Sequence, residues 1–302
     1  MMSFLALGMV IDALLGEPKW IWSRVTHPIV MIGKIISLAD KLLNRASHRK
    51  LKGIFFLFLL ILLGLFTGWL LSQFGGFTEI IVIAILIAQK SLSEHVISVA
   101  SALRISIAEG RLAVSKIVGR DTCSMDEPQV VRAAIESASE NFSDGVIAPV
   151  FWYMIGGLPG MVVYKCVNTA DSMIGFKTET YVDFGWASAR FDDLLNWLPA
   201  RLSAFVLLMS GGNILLNGWT DIASGAKLHR SPNAGWPEAA MASLLNVALA
   251  GPRSYEGRLQ DFDWVNKNGN RSASPYEIER AVRILWLAWS IVFVIVLGLS
   301  LL

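Results

Sequence analysis

The composition of this 302-residue chain is that of a membrane protein: 54% of its residues are hydrophobic, 17% are charged and the mean hydropathy is +0.53. These values exclude an ordinary soluble domain. The net charge of +2 comes from lysines and arginines scattered in loops, which argues against a nucleic-acid partner. Cys123 and Cys166 lack CxxC spacing and neighbouring histidines, so we expect free thiols and no zinc site.

Apolar runs mark the expected membrane segments in chain order. Residues 1–15 contain Asp12 and precede the first basic residue, which favours a retained helix over a signal peptide. Residues 53–78 carry no charge and exceed the about 20 residues that a crossing helix needs, so they are the clearest span. Residues 80–89 are apolar but short, so they can cross the membrane only if the helix also includes residues before Glu79 or after Lys90. Residues 284–302 should form the last span.

Two further charge-free runs contain helix breakers. Residues 146–164 and 202–220 are apolar enough to enter a bilayer. Their breakers are Pro149, Gly156, Gly157, Pro159 and Gly160 in the first run and Gly211 and Gly212 in the second. Such residues favour bent or re-entrant segments.

Basic residues predict which loops face the cytoplasm. Lysines and arginines cluster at 41–52 whereas 73–79 has none, so the positive-inside bias places the first loop and residues 90–145 inside, together with 221–283. We therefore expect a multi-pass protein of the inner (cytoplasmic) membrane with its active site facing the cytoplasm.

One all-α, membrane-embedded catalytic domain over residues 1–302 is the economical interpretation, because no repeat or long linker is present. We expect about four to five membrane helices or re-entrant segments plus cytoplasmic amphipathic helices. One of these helices is predicted by Leu92, Val96, Val99 and Leu103, which recur at helical spacing.

Four polar clusters interrupt the apolar background: ESASENFSDG at 136–145, NTADS at 168–172, RFDD at 190–193 and HRSPNAGWPE at 229–238. Helix caps and membrane-interface boundaries explain such clusters as readily as a site does. Their number and acidic content nevertheless make them the candidates for chemistry.

The first cluster belongs to a predicted helix that Asp126 caps and Pro128 opens. On this helix Arg132, Glu136 and Glu140 share a face, where either Arg132 or a divalent cation would offset the repulsion between the two glutamates. A solvated polar stripe is the alternative.

The next clusters place carboxylates at both ends of a short polar insertion. Adjacent Asp192 and Asp193 cannot share one helix face, so at most one binds a metal while the other caps or pairs with Arg190. Arg201, beside a membrane-embedded run, is costly unless it snorkels to the interface or pairs with an aspartate or an anionic substrate.

The last cluster predicts a rigid turn that feeds a helix starting near Pro237. Free backbone N–H groups at this start would form a phosphate seat. For His229 taken alone, a structural role is the more frequent explanation. No P-loop occurs in the sequence, so a nucleotide would be held in another way.

Together these motifs resemble the cobinamide-phosphate synthases, the CobD/CbiB family of membrane proteins in cobalamin biosynthesis. The resemblance covers DALLGEP at 12–18, residues 27–33, VGRDT at 118–122, 136–149, 164–175, 184–201 beginning FGWASAR, 231–240, and 251–257 with Tyr255. Phe142 stands where a small hydroxyl residue is expected, and Cys123 follows the VGRDT run. These departures bear on local packing.

The resemblance implies an ATP-dependent amide ligase that joins aminopropanol, or its phosphate, to the free propionate of adenosylcobyric acid. ATP and Mg²⁺ take part, and the corrinoid is a substrate, not a cofactor. The implied partners are these small molecules, the lipid bilayer and other cobalamin-assembly membrane enzymes, with no nucleic acid.

The implied catalytic residues are Glu136, as the base, with Glu140, Asn141 and Asp144; Mg²⁺ would bind Glu140, Asp144 and Asp171. The implied substrate- and nucleotide-binding residues are Arg120, Asn168, Asp171, Ser172, Lys177, Arg190, Asp192, Arg201, His229, Ser231, Asn233 and Glu238.

Two other classes stay open: a membrane transporter and a non-catalytic membrane sensor of the same family. A transporter more often shows internal repeats and polar groups near the midplane, and a sensor would be expected to lose the clusters at 136–144 and 229–238. If both breaker-rich runs crossed fully, residues 168–193 would lie across the membrane from Glu136 and His229. We therefore expect both runs to be re-entrant or tilted half-helices lining a cytoplasm-facing cavity.

Overall fold

The computed structural model describes residues 1–45, 47–211, 216–255 and 258–301. Helices dominate these residues, which confirms the all-α fold class. In chain order they are α1 (Met2–Leu15), α2 (Lys19–Trp22), α3 (Pro28–Leu43), α4 (Arg49–Ser72), α5 (Gly76–Leu86), α6 (Gln89–Leu103), α7 (Ile107–Val114), α8 (Glu127–Phe142), a π-helical segment (Ser143–Ile147), α9 (Ala148–Ile174), α10 (Trp186–Leu195), α11 (Trp197–Ser210), α12 (Leu216–Ala226), α13 (Gly235–Leu245) and α14 (Pro275–Ser300).

Four short strands lie between α13 and α14. They are β1 (Leu249–Ala250), β2 (Arg253–Tyr255), β3 (Arg258–Gln260) and β4 (Trp264–Val265). Antiparallel pairing joins β1 to β4 and β2 to β3. Residues 256 and 257, which belong to the 251–257 stretch of the resemblance, lie outside the described residues.

Within the described part of the chain, four helical stretches are long and apolar enough to cross a membrane: Arg49–Ser72, Gly76–Leu103, Glu127–Ile174 and Pro275–Ser300. The predicted spans at 53–78 and 284–302 correspond to the first and last of these stretches. The helix of the first stretch ends at Ser72, six residues before the predicted end. The short run at 80–89 belongs to Gly76–Leu103, within which Ile87 is extended between α5 and α6. These segments confirm the prediction of a polytopic membrane protein.

The two breaker-rich runs both contain an interruption. Gly157 leaves the helical conformation at φ 60°, which only glycine adopts readily, and Pro159 lies just beyond it. In the second run α11 is a shorter apolar helix that ends at Ser210. Gly212 lies outside the described residues. The bend at Gly157 is confirmed, whereas re-entrance stays a prediction.

The chain groups into two compact units. Unit 1 comprises Met1–Ala88, Ala148–Trp197 and Val296–Leu302, and unit 2 comprises Gln89–Ile147 and Leu198–Ile295. The expectation of a single domain stays a prediction.

Unit 1 is built around the contact of α4 with α9. Its core includes the buried side chains of Leu57, Tyr164 and Val167. Gly68 lets the two backbones approach closely, since a Cβ atom there would lie 2.5 Å from the Cα atom of Pro159. Small residues at such crossings allow close helix packing in membranes.

Unit 2 holds the amphipathic helix α6 and the polar helix α8. The α6 residues Leu92, Val96, Val99 and Leu103 are all buried, as their spacing predicted. At the start of α8 the Asp126 carboxylate accepts the Gln129 N–H, and the Gln129 side-chain oxygen accepts the Asp126 N–H, each at 2.8 Å. This reciprocal cap confirms the predicted helix start.

Candidate active site

Glu136 lies at the centre of a buried cluster in unit 2. Its Oε2 accepts hydrogen bonds from the guanidinium groups of Arg120 at 2.6 Å and Arg253 at 3.0 Å. Its Oε1 accepts the backbone N–H of Ala250 at 2.8 Å. The Arg120 and Glu136 side chains are only 7% and 8% exposed. Because both carboxylate oxygens are engaged, Glu136 is better placed to hold the two arginines than to accept a proton.

The chain reversal after β1 brings Arg253 to Glu136. Ala250 adopts φ 60° and Gly251 adopts φ 72°. A Cβ atom on Gly251 would lie 2.6 Å from the Trp264 ring, so only glycine fits there. Left-handed backbone at a non-glycine residue costs about 1–3 kcal/mol and is concentrated at functional sites. The unfavourable conformation of Ala250 is the one that points its N–H at Glu136.

The loop that carries Arg120 is fastened to β2. The Ser254 hydroxyl donates to the Asp121 carboxylate at 2.9 Å, and the Asp121 N–H donates to the Ser254 carbonyl at 3.3 Å. These two bonds hold Arg120 and Arg253 on neighbouring segments. Both guanidinium groups can therefore face one ligand.

A cavity of about 110 Å³ opens beside this cluster. It is lined by Arg120, Asp121, Ser124, Met125, Gln129, Arg132, Glu136, Ala250, Pro252, Arg253 and Ser254. Three guanidinium groups face two carboxylates, which leaves an excess of positive charge, and serine and glutamine add neutral hydrogen-bonding groups. Arginine forks match the oxygens of phosphate and carboxylate groups. The lining is that of an anion site.

Glu238, in the first turn of α13, is a second buried carboxyl group near this cluster. Its Oε1 has no hydrogen-bond partner among the described residues, and its Oε2 lies 3.8 Å from His229 Nε2. Burial, and then the negative charge of Glu136, raise the pKa of Glu238 well above its usual value, while Arg253 opposes this shift. Burial likewise lowers the pKa of His229.

The turn before α13 contains Ser231 and Asn233. The Ser231 hydroxyl accepts the N–H groups of Asn233 and Ala234, both at 3.2 Å. The His229 Nδ1 accepts the Ser231 N–H at 3.0 Å. The prediction of a phosphate seat made of free N–H groups is therefore wrong for Asn233 and Ala234, because a side chain caps them. The helix also starts at Gly235, two residues before the predicted Pro237.

The remaining predicted residues of unit 2 surround the end of α8. Asn141 donates back to the Ser137 carbonyl at 2.9 Å, which leaves its side chain on its own helix. Asp144 lies in the π-helical segment, and the charge of Glu140 acts on Glu238. Short π-helical segments are frequent at functional sites.

Arg201 has found an aromatic neighbour. Its guanidinium group lies 4.7 Å from the centre of the Trp236 ring. A cation over an indole face is stabilised by the ring quadrupole. The predicted need of Arg201 for a compensating group is thus met in part by tryptophan.

Unit 1 contains a separate carboxylate network around Asp192. Its two oxygens accept the side-chain amides of Asn168 at 3.3 Å and Asn196 at 3.0 Å. The Tyr164 hydroxyl donates to Asn196 at 3.0 Å. Burial, and then the charge of Asp171, raise the pKa of Asp192 to about 7.

Asp193 lies on another side of α10 from Asp192, as the helix geometry predicted. It pairs with Arg190 at 3.5 Å, and Lys177 contributes a second positive charge. Burial still raises the pKa of Asp193. Ser172 and Lys177 are exposed.

The predicted Mg²⁺ ligands are divided between the units: Glu140 and Asp144 belong to unit 2 and Asp171 to unit 1. Within the described ranges, no three histidine, cysteine, aspartate or glutamate side chains are grouped so that they could hold a metal. The Mg²⁺ set stays a prediction, as does the convergence of groups from both units on one pocket.

Sequence reasoning missed Arg253 and Asn196. Arg253 lies in the 251–257 stretch of the resemblance, so that motif was the available signal. No local pattern marks the contact of Arg253 with Glu136, which are 117 positions apart. Asn196 lies four residues after Asp192, a helical spacing that predicts contact.

The comparisons with known proteins are consistent over nearly the whole chain. The family model described as CobD/Cbib protein matches residues 5–285. A Sinorhizobium protein named cobalamin biosynthesis protein CobD is 46% identical, with 98% of this chain and 97% of the relative covered. Proteins of the same name from Brucella suis (41% identical; 98% and 96% covered) and Rhodobacter capsulatus (42%; 88% and 88%) are also similar. No solved structure matches this chain.

Proposed function

Because the chain belongs to the CobD/Cbib protein family and so has a role in cobalamin biosynthesis, we propose that it is an ATP-dependent carbon–nitrogen ligase. Its substrates are adenosylcobyric acid and aminopropanol or aminopropanol phosphate, and its product is adenosylcobinamide or adenosylcobinamide phosphate. The observation that carries this proposal is the arginine-lined cavity around Glu136, which suits a phosphoryl group.

The reaction needs an activated carboxylate. The propionate oxygen attacks the γ-phosphorus of ATP, ADP leaves, and an acyl phosphate forms. The nitrogen of the deprotonated amine then attacks the carbonyl carbon, the bond to the phosphate oxygen breaks, and inorganic phosphate leaves. The amide nitrogen keeps one hydrogen, so two protons leave an initially protonated amine. Such chemistry is favoured by fixed positive groups at the phosphoryl oxygens.

Arg120 and Arg253 are the proposed phosphoryl-binding residues. Glu136 holds both guanidinium groups and, through Ala250, the loop that positions Arg253. In this scheme Glu136 is a positioning residue instead of the base expected from the sequence. Its two engaged oxygens support this reassignment.

Glu238 is the better candidate for the proton acceptor. Its Oε1 lacks a hydrogen-bond partner in the described part of the chain, and His229 Nε2 faces its other oxygen. Because burial raises its pKa, Glu238 in its ionised form is a stronger base than an ordinary glutamate. A side chain only 5% exposed requires the amine to enter the buried site.

Mg²⁺ fits the donor set at the end of α8, because this ion takes one or two carboxylates together with substrate phosphates and water. Glu140 and Asp144 of unit 2 would supply the carboxylates. When bound, the ion would neutralise charge on the nucleotide phosphates.

The proposed location is the inner membrane, with the active site facing the cytoplasm. Basic residues at 41–52, just before and at the start of Arg49–Ser72, support this orientation. An association with other cobalamin-assembly membrane enzymes belongs to the same proposal.

The test uses the full chain purified in detergent with ATP, Mg²⁺, adenosylcobyric acid and either amine. We expect an amide product, detected by mass spectrometry, and a stoichiometric amount of ADP. Arg253→Gln should lower kcat/KM for ATP by about 100-fold or more, since one fixed donor at developing charge contributes about 2.7–4 kcal/mol. Arg24→Gln removes an exposed arginine outside the cluster and serves as the matched control.

Corrinoid uptake into vesicles without any amide product would contradict the ligase and indicate a transporter. Corrinoid binding without ATP consumption would instead indicate a sensor. Equal activity of Arg253→Gln and Arg24→Gln would leave the ligase standing and remove the proposed phosphoryl site.

A further inference from the structure

We propose that unit 1 carries a binding groove for an anionic glycerophospholipid, formed by one face of α3 and the facing part of α9. The groove has a volume of about 600 Å³, and its lining includes Lys34, Lys41, Val30, Leu38 and Met173. Its α9 residues Thr169 and Met173 lie on either side of Asp171 in the sequence, but none of the residues proposed for phosphoryl binding or proton transfer lines the groove. Lipid binding can therefore be tested separately from the ligase reaction.

Two lysines give the groove its positive charge. Lys34 and Lys41 are seven residues apart on α3, so they share a face and lie about 10.5 Å apart along the helix axis. Both are exposed. Among the described residues neither makes a hydrogen bond or an ion pair, and Asp40, the nearest acid in sequence, is engaged by Asn44 and Tyr181. Two uncompensated charges on one face favour an anionic ligand.

The rest of the groove is apolar. Val30 and Leu38 are 51% and 58% exposed, although both are on a helix packed against α9. Ile36 is the only fully buried residue of α3. Met173 closes the floor, because its sulfur lies 3.4 Å from the Cβ position of Gly33. An ammonium pair beside exposed hydrocarbon is complementary to an anionic headgroup with acyl chains.

The surroundings in unit 1 favour a bilayer lipid over a soluble anion. The same unit contains Arg49–Ser72, which includes an 18-residue stretch with a mean hydropathy of 2.7, of which only 28% is buried. Such a surface requires hydrocarbon around it. The end of α3 leads directly to this span through basic residues at 45–52, where the anionic surface of a membrane attracts lysine and arginine.

A second copy of the chain is the weaker occupant. In a two-fold symmetric contact the same patch meets itself, so Lys34 and Lys41 would face the same two lysines of the other copy. Like charges brought together in this way oppose association.

Native mass spectrometry of the detergent-purified full chain, titrated with phosphatidylglycerol or phosphatidylcholine, tests the groove. We expect phosphatidylglycerol to bind at least 10-fold more tightly. Lys34→Gln with Lys41→Gln should weaken its binding roughly 10- to 30-fold, from the contribution of a lysine near an anionic surface. The matched control, Lys116→Gln with Lys267→Gln, removes two exposed lysines of unit 2 and should change it less than twofold.

A further variant tests the apolar part separately. Ser37→Trp fills the groove without changing its charge and should weaken the binding of both lipids. The proposal is overturned if phosphatidylcholine binds equally well or if the lysine pair has no effect. It is also overturned if free inorganic phosphate displaces the lipid completely. A lysine variant that converts a dimer to monomers while still binding lipid would overturn it as well. Unchanged thermal unfolding of the lysine variant shows that it is folded.

Discussion

Asp192→Asn should make the protein more stable at neutral pH and flatten its pH dependence. The carboxyl group of Asp192 is buried, and its pKa is raised from 3.8 to about 7 by burial and by the charge of Asp171. Below about pH 4 the group is protonated in both the folded and the unfolded chain. Between pH 4 and 7 the unfolded chain releases the proton while the folded chain keeps it, so stability falls as pH rises and the loss is complete above pH 7.

The magnitude follows from the same pKa. Since one pH unit of difference corresponds to about 1.36 kcal/mol, the rise to about 7 corresponds to about 4 kcal/mol. Part of this free energy belongs to Asp171, because two interacting carboxylates titrate together. A neutral amide mimics protonated Asp192 at every pH. Its NH₂ group, however, would face the side-chain NH₂ of Asn168 or Asn196, so one hydrogen bond is lost at a cost of about 1 kcal/mol. We therefore expect a net gain of about 1–3 kcal/mol at pH 8 and a slight loss at pH 4.5.

The assay is thermal unfolding in detergent from pH 4.5 to 8.5, at one scan rate. The unfolding temperature of the wild type should fall by several degrees between pH 4.5 and 7.5 relative to Asp192→Asn. Glu179→Gln, which alters an exposed acid of the same unit, should follow the wild type. Parallel curves for wild type and Asp192→Asn would refute the reasoning, because they would show that Asp192 is ionised in the folded protein at all these pH values.

Three further substitutions test the packing and the site. Glu136→Gln should cost about 3–5 kcal/mol of unfolding free energy, since it leaves two buried arginines without their counter-charge, and denaturant titration measures this. Gly68→Ala should cost at least about 1–3 kcal/mol, because its Cβ atom would lie 2.5 Å from Pro159, and this appears as a lower unfolding temperature. Ser231→Ala should cost about 1 kcal/mol and weaken ligase activity, since the Asn233 N–H loses its acceptor.

Gly68→Ala and Glu136→Gln each have a control that isolates the physical cause. Gly298→Ala adds the same methyl group where nothing lies within 4 Å, so it should be neutral or stabilising. Glu109→Gln removes an exposed carboxylate and should cost less than about 0.5 kcal/mol. A Gly68→Ala protein as stable as Gly298→Ala would show that α4 and α9 do not approach as described.

The sequence by itself determined the class of protein and most helix positions. Charge-free runs of about the bilayer thickness identified two of the spans, Arg49–Ser72 and Pro275–Ser300, because hydrocarbon tolerates few charges whatever the fold. Local rules sufficed for the start of α8, since the cap formed by Asp126 and Gln129 involves neighbours in the chain. They also sufficed for the pairing of Asp193 with Arg190, one helical turn away.

Only the tertiary structure decided the partners of the polar residues. Glu136 meets Arg253 across 117 positions, and no periodicity predicts that contact. The raised pKa of Asp192 could not be predicted from the sequence either, because it depends on the residues that bury Asp192 and on the proximity of Asp171. Apolar burial follows composition and period, whereas the role of a charged group follows from its distance to other charges, and that distance is fixed only when the chain has folded.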